Sequence, residues 1–373
     1  MGKRRSNNEG TIFRRGDGRW TASISLEGGK RKSYYGKTRG EVAGKLNTAL
    51  KAKQDGLPLV GERQKTGGFL WEWLDIIKPS LRPGSWQRYE QMVRIHLTPQ
   101  IGHIALARLT PGAVQRLYAN RLEAGLSSTS VHHLHAFLHS ALDHAARWGL
   151  VARNVTDLVR PPRISRKEMT TLSPEQTRAF LRLAAGEPHE ALYVLAITTG
   201  MRQGELLALR WRDVDLDRGS LRVVGTMRRI TGGFAIQEPK TPRSRRQLSL
   251  GAVALSALKG HRTRQLEKRL GLGSAWHDDD LVFANEVGRP IEVGNLLRRS
   301  FWPLLGRAHL PRIRFHDLRH TAATLMLGKG VHPKVVSEML GHAQVAVTLD
   351  LYSHVTPNMQ QAAVAAIDEI LAE

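Results

Sequence analysis

The sequence predicts a multidomain fold, mainly α with small antiparallel sheets, from three observations. A chain of 373 residues exceeds one ordinary domain and allows two or three. Residues 1–53 alternate short β-type runs with glycine turns, whereas most of the chain after Phe69 follows helical spacing. Two stretches of little periodicity, 54–67 and 160–171, separate three parts: 1–60, 66–160 and 170–373. Hydrophobic residues make up 41% and charged residues 24%, so a packed core is within reach and wholesale disorder is not expected.

The first part should form a ββ(β)α unit. Gly10–Arg15, Arg19–Leu26 and Lys30–Tyr35 read as strands, with Asp17-Gly18 and Gly28-Gly29 as the hairpin turns between them. Val42, Leu46, Ala49 and Leu50 give Thr38–Lys53 a helical face. Residues 1–53 carry fourteen Lys/Arg against four acidic residues, a net of +10. Arg14, Arg15, Arg19, Lys30, Arg31 and Lys32 interleave with Trp20, Tyr34 and Tyr35, and a small sheet of that kind can enter a DNA groove.

The second part should be a compact helical domain. Helices are expected over Gly68–Lys78, from Pro83 with Ser85 as a possible cap, after Thr110-Pro111, and from Ser127–Thr129 to Trp148, where Gly149 ends the run. The following linker holds Arg160 and Arg163 beside two prolines, and its extended, basic character suits a phosphate backbone.

In the third part, Ser173 caps a helix, Pro174 suits its first turn, and Gln176 completes a capping box. Leu221–Val224, Thr226–Ile230, Phe234–Gln237 and Gln247–Leu250 read as strands of a small antiparallel sheet, with turns at Thr231–Gly233 and Glu238–Ser244. Helices follow, and Asn358–Leu371 reads as a short amphipathic one.

Charge narrows the partner. Lys plus Arg number 56 and Asp plus Glu 33, a net of +23, which points to nucleic acid or an anionic membrane surface without choosing between them. No apolar run approaches the roughly 18 residues of a membrane span. Met1–Asn8 is basic with no apolar stretch behind it, so no signal peptide is expected and a cytoplasmic, nucleoid-associated location follows. The chain has no cysteine, which excludes disulfides, Fe–S clusters, thiolate zinc sites and cysteine catalysis.

Three motifs fail on their chemistry. Gly36-Lys37-Thr38 ends like a phosphate-binding loop, but Arg31 stands where the upstream glycine belongs. His135 and His139 share a helix face among five histidines at 132–144, yet only Asp143 is at hand to complete a metal site, so they read as structural or DNA-facing. His316-Asp317-Leu318-Arg319-His320 has the spacing of a zinc motif, but Arg319 would repel a dication and Asp is a methylene shorter than the usual Glu base.

A different set carries chemistry. Arg202 follows Gly200 at a helix start, Lys240 lies in the turn Pro239–Pro242, His316 and Arg319 are three apart on one helix face, His342 follows Leu340-Gly341, and Tyr352 comes ten residues later. Two arginines grip the non-bridging oxygens of a phosphodiester and stay charged at any working pH. Their hold strengthens as a pentavalent transition state gathers charge. Histidines donate hydrogen bonds or move protons, lysine protonates a leaving 5′-oxygen, and tyrosine supplies a nucleophilic hydroxyl. The phenol has a pKa of about 10 and is only about 0.1% ionised at pH 7, so a cationic field or a base must assist it. No metal or other cofactor is required, because the protein supplies the positive charge.

In this order and spacing, Thr199–Leu209 (TGMRQGELLAL), His316–Thr324 (HDLRHTAAT) and Leu340–Val355 (LGHAQVAVTLDLYSHV) resemble the tyrosine recombinases, the phage-integrase family. The resemblance extends to the whole organisation: 1–60 like an arm-type DNA-binding domain, 66–160 like a helical, SAM-like core-binding domain, and 170–373 like a mixed α+β catalytic domain. It implies that Arg202 and Arg319 hold the scissile phosphate, His316 and His342 assist, and Lys240 is the general acid, with Lys259 and Arg243 in the same region. Tyr352 would attack phosphorus to leave a 3′-phosphotyrosine, and Glu205 would support the site. Strand exchange on core-type and arm-type sites implies double-stranded DNA and a homotetramer, and the family adds host DNA-bending proteins and an excisionase as expected partners. The C-terminal helix would dock on a neighbouring protomer. Two other functions compete: a monomeric type IB topoisomerase, distinguished by supercoil relaxation without recombinant product, and a non-catalytic DNA-binding regulator, which would have no use for Tyr352 beside two arginines.

Overall fold

The structure is a computed structural model and describes residues 10–25, 31–54, 64–164, 169–230, 232–238, 245–342, 344–346, 348–349 and 367–368. The chain divides into two compact units, Met1–Arg166 and Lys167–Glu373. The described residues are mostly helical, with small antiparallel sheets. No helix among them is long and apolar enough to cross a membrane.

The first unit opens with an antiparallel sheet of β1 (Thr11–Arg14), β2 (Trp20–Ser25) and β3 (Arg31–Gly36), followed by α1 (Arg39–Gln54). Gly18 takes a φ of +80° in the first turn, and the Asp17 carboxylate accepts the Arg19 N–H at 3.1 Å. Strand alternation puts Ile12, Trp20, Ala22, Ile24 and Tyr34 against Val42, Leu46 and Ala49 of α1. Trp20 and Tyr34, expected among the basic residues of a DNA-facing surface, therefore pack on the helix-covered face. Their parity decides this, because Trp20 shares its face with Ala22 and Ile24, and Tyr34 pairs with Ala22. The opposite face presents Phe13 and Tyr35, each about half exposed, in register on either side of Thr21.

The rest of that unit is helical: α2 (Thr66–Ile77), α3 (Pro83–Gln91), a π-type stretch (Met92–Leu97) running into α4 (Thr98–Ile101), α5 (Pro111–Glu123) and α6 (Ser128–Arg147). Phe69, Trp73, Leu97, Tyr118, Leu134 and Phe137 anchor its core. Thr110 and Ser127 cap α5 and α6 through their hydroxyls. Ser85 is not a cap: Pro83 occupies the first helical position of α3 and Arg82 precedes it, which places Ser85 inside the first turn. Three of the five histidines of α6 find protein partners. His135 Nδ1 lies 2.9 Å from Tyr118 Oη, His139 Nε2 lies 2.9 Å from Asp157, and His144 Nδ1 accepts the Trp73 indole N–H at 2.9 Å.

The second unit is built around α8 (Glu190–Thr199), which follows α7 (Pro174–Ala184) and precedes α9 (Gln203–Leu207). Ser173 and Gln176 close the capping box that the sequence predicts. Every residue of α8 from Ala191 to Ile197 is buried, against α7, α9 and two helices downstream, α10 (Ala252–Leu272) and α13 (Asp317–Gly328). At about 1.5–3 kcal/mol per buried large aliphatic side chain, this helix is the unit's main apolar anchor. The strands differ from the single sheet expected. β4 (Val214–Asp215), β5 (Ser220–Val223) and β8 (Arg246–Ser249) form one sheet, while β6 (Thr226–Ile230) and β7 (Gly233–Gln237) form a separate hairpin. Leu221 pairs with Leu248 and both are buried, so core burial draws β8 across to β5 past the more exposed hairpin. α11 (Val293–Leu296), a π-type stretch (Leu297–Phe301), α12 (Trp302–Arg307) and, after α13, α14 (Pro333–Leu340) complete the unit. The expected helix Asn358–Leu371 lies outside the described residues, apart from 367–368.

Replacing Ser173 with Ala removes one half of the capping box and should lower stability by about 1 kcal/mol. A urea titration of the second unit's far-UV signal reads this, and an unchanged midpoint would show that the cap contributes nothing.

Candidate active site

Two left-handed glycines shape the site. Gly200, at φ +62°, ends α8, and a Cβ there would run into the Leu340 side chain. The chain then extends through Arg202 into α9, whose Gly204 lets β6 pack against it without a Cβ in the way. Glu205, in the first turn of α9, is buried. It accepts the Arg202 backbone N–H at 3.0 Å and the Arg202 guanidinium at 2.8 Å. The second glycine, Gly341 at φ +66°, ends α14, and its carbonyl accepts Arg202 Nη2 at 3.1 Å.

Arg319 comes from α13, whose start is pinned by a fork from Arg314 to the buried Asp317 at 2.7 Å. The Arg319 side chain is buried, and its Nη1 donates to the Gly200 carbonyl at 2.8 Å. Nη2 is also buried and has no hydrogen-bond partner among the described residues. Burial above all, then the neighbouring Arg202, draws the Arg319 pKa down to about 9, which leaves it cationic at neutral pH.

His316 immediately precedes α13 and His342 follows Gly341. Burial is the largest cause that pushes each imidazole down to about 4, with Arg319 and Arg202 acting on both. Both are neutral at pH 7. The His342 Nδ1 lies 2.8 Å from Thr348 Oγ1, which leaves Nε2 as its other polar atom. His320 stands edge-on to His316, with ring centroids 5.1 Å apart.

Residues 170–359 match the model of the phage integrase family, and residues 67–122 match that of the phage integrase N-terminal SAM-like domain. The chain belongs to the phage integrase family. A XerC-like tyrosine recombinase of Caldanaerobacter subterraneus subsp. tengcongensis is 32% identical over 366 residues, covering 92% of this chain and 93% of its own. An integrase of Streptomyces ambofaciens is 30% identical over 98% of this chain and 97% of its own. Among solved structures, the Tn1549 transposon integrase in complex with transposon right end DNA has the same fold, with a TM-score of 0.69 at 21% identity over 80% of this chain and 99% of that one. The protein is thus a tyrosine recombinase, an enzyme that breaks and rejoins DNA at specific sites.

In this integrase, four residues expected at the site, Arg202, His316, Arg319 and His342, come together with Glu205. Lys240 and Tyr352 lie outside the described residues, as does Lys30. The ends of the Lys240 segment are described, and Arg245 pairs there with Glu238 at 2.8 Å. Lys259 sits on α10. Arg14, Arg15, Arg19, Arg31 and Lys32 lie on or beside the N-terminal sheet, and Arg160 and Arg163 are exposed in the first unit. Sequence reasoning missed Arg246 of β8, which donates to Glu205 at 2.9 Å and to the Met339 carbonyl at 2.6 Å. Arg246 shares strand parity with the core residue Leu248, but the partners that mark it out lie far away in sequence.

The depressed histidines make stability pH-dependent. Between the ordinary value of 6.5 and about 4, the unfolded chain binds protons that the folded one does not. Their contribution is present above pH 6.5 and is lost as pH falls toward 4. Melting of the integrase should shift downward across that window, and His316→Asn with His342→Asn should flatten the dependence. Parallel curves for the two proteins would place the acid sensitivity elsewhere.

Proposed function

We propose that this integrase integrates and excises a mobile element by cutting and rejoining DNA through a 3′-phosphotyrosine on Tyr352. The observation that carries the reading is the pair of arginines anchored to backbone carbonyls beside two neutral imidazoles, with Arg319 Nη2 left for a ligand. Arg202 and Arg319 hold the non-bridging oxygens of the scissile phosphate. The Tyr352 oxygen attacks phosphorus while a neutral imidazole takes its proton. The P–O5′ bond breaks, and Lys240 supplies the proton that the 5′-oxygen leaves with. The new ester keeps the energy of the phosphodiester, so a second 5′-hydroxyl reverses the chemistry without ATP. Metal is not needed, because guanidinium charge stabilises the transition state in its place.

Exchange of four strands requires four protomers on two duplexes, and a lambda integrase similar in fold (TM-score 0.57) was solved as a tetramer bound to a Holliday junction. The three parts of the chain divide the DNA between them: 1–60 takes arm-type sites, 66–160 grips core-type sites with 170–373, and 170–373 cuts them. In the first, the uncovered sheet face supports the reading, since Phe13 and Tyr35 stand exposed with the Arg15 guanidinium 5.7 Å from the Tyr35 ring centre.

Tyr352→Phe should keep DNA binding and abolish cleavage. A suicide substrate followed by denaturing electrophoresis reads the covalent band, and a band from the Phe variant would remove Tyr352 as nucleophile. Relaxation of supercoiled DNA with no recombinant product would favour the topoisomerase instead.

Arg15→Ala with Arg31→Ala should weaken binding to long DNA carrying arm sites, cutting the log–log salt slope by about 0.9 for each phosphate that is no longer neutralised. Binding to short core DNA should be unchanged. Gel-shift titrations at several salt concentrations test this, and equal slopes on the long DNA would reduce the segment to a solubilising extension.

A further inference from the structure

Arg246 directs its guanidinium at protein groups. Its side chain is only 7% exposed, against 38% for Arg202. Nε donates to the Met339 carbonyl at 2.6 Å, Nη2 donates to Glu205 Oε2 at 2.9 Å, and Nη1 lies 2.9 Å from where a Cβ on Gly341 would stand. Arg202 uses the other halves of the same partners, taking Glu205 Oε1 through Nη1 and the Gly341 carbonyl through Nη2. The two guanidiniums therefore close a ring through one carboxylate and one turn, joining the start of β8, the first turn of α9 and the end of α14.

We propose that Arg246 is a positioning residue that ties the Gly341–His342 turn to Glu205 and so presents Arg202 to the scissile phosphate as an uncancelled cation. The proposal rests on the reading of Arg202 as a phosphate-holding group. Charge arithmetic supports it. One carboxylate bound by one guanidinium is neutral, whereas Glu205 shared between two leaves a net positive charge beside the site. Burial works against ionisation of Glu205, and Arg246 is the foremost group that overcomes it, holding the carboxyl below its ordinary range. Geometry adds a mechanical part, because losing the bond to Met339 frees the end of α14 from which His342 emerges.

The test compares two scissile groups in otherwise identical suicide substrates: an ordinary phosphodiester, and a methylphosphonate in which a methyl replaces one charged non-bridging oxygen. The neutral group develops less negative charge in the transition state, so it depends less on the arginine grip. Single-turnover cleavage is measured for wild type, Arg246→Ala, Arg246→Lys and Arg202→Ala. Expressing each result as the methylphosphonate-to-phosphodiester rate ratio within one protein removes any difference in folded fraction. Arg246→Ala should cut the phosphodiester about 10- to 100-fold more slowly, a smaller loss than the roughly 10²–10³ of removing a direct donor. Its methylphosphonate rate should stay close to wild type, so its ratio rises toward that of Arg202→Ala. Arg246→Lys, which retains the charge with fewer donors, should fall between, and it answers the question if the Ala variant does not fold. A wild-type ratio in both Arg246 variants, with a raised ratio in Arg202→Ala, would overturn the proposal and leave Arg246 a packing residue. A wild-type ratio in Arg202→Ala would instead overturn the phosphate-holding role on which the proposal stands.

Discussion

The Glu205 carboxylate is buried between the guanidiniums of Arg202 and Arg246, with Arg319 close enough to feel both. Three like charges in one place repel by amounts on the order of several kcal/mol per pair at short range, and burial strips away the water that would screen them. A single carboxylate cannot neutralise the group, and full neutralisation would leave nothing for an anionic substrate. The fold compensates with backbone dipoles. Each arginine takes a carbonyl from a segment distant in sequence: Arg202 from Gly341, Arg319 from Gly200, Arg246 from Met339.

Those carbonyls are not arbitrary. Gly200 and Gly341 are the left-handed residues that end α8 and α14, and Met339 lies in the last turn of α14. Helix C-termini carry unsatisfied carbonyls and the negative end of the helix dipole, a favourable setting for cations worth about 0.3–1 kcal/mol each. The two glycines also permit the approach itself. Leu340 fills the space that a Cβ on Gly200 would take, and the Arg246 side chain lies where a Cβ on Gly341 would point. The buried α8 thus does two jobs with one sequence, anchoring the core along its length and delivering a carbonyl to Arg319 at its end.

Features that depend on near neighbours were legible in the sequence. The capping box at Ser173, the Asp17-Gly18 turn and the helix stop at Gly149 rest on side chains within a few residues of the backbone they serve. The family's arginine and histidine stretches were legible because each is short and contiguous. Features decided by distant packing were not. The split into two sheets depends on Leu248 preferring Leu221, and the inward turn of Trp20 and Tyr34 depends on α1 covering that face. The π-type stretches at 92–97 and 297–301 carry no sequence mark that periodicity reveals. Arg246 looked like one more cation in a basic run, since its partners lie 41 and 93 residues away.

The neutral histidines complete the electrostatic picture. His316 and His342 are kept uncharged by burial and by the same arginines that attract a phosphate. On the proposed reading, the arriving phosphodiester offsets that cationic field, and the growing charge of the transition state offsets it further. Each step raises the affinity of the imidazoles for a proton just as the Tyr352 phenol must release one. Proton acceptance is thereby coupled to charge on phosphorus. On that reading, the cationic charge that the fold spreads over helix ends adds to burial in holding protons off the histidines, and substrate offsets only the part that the arginines supply.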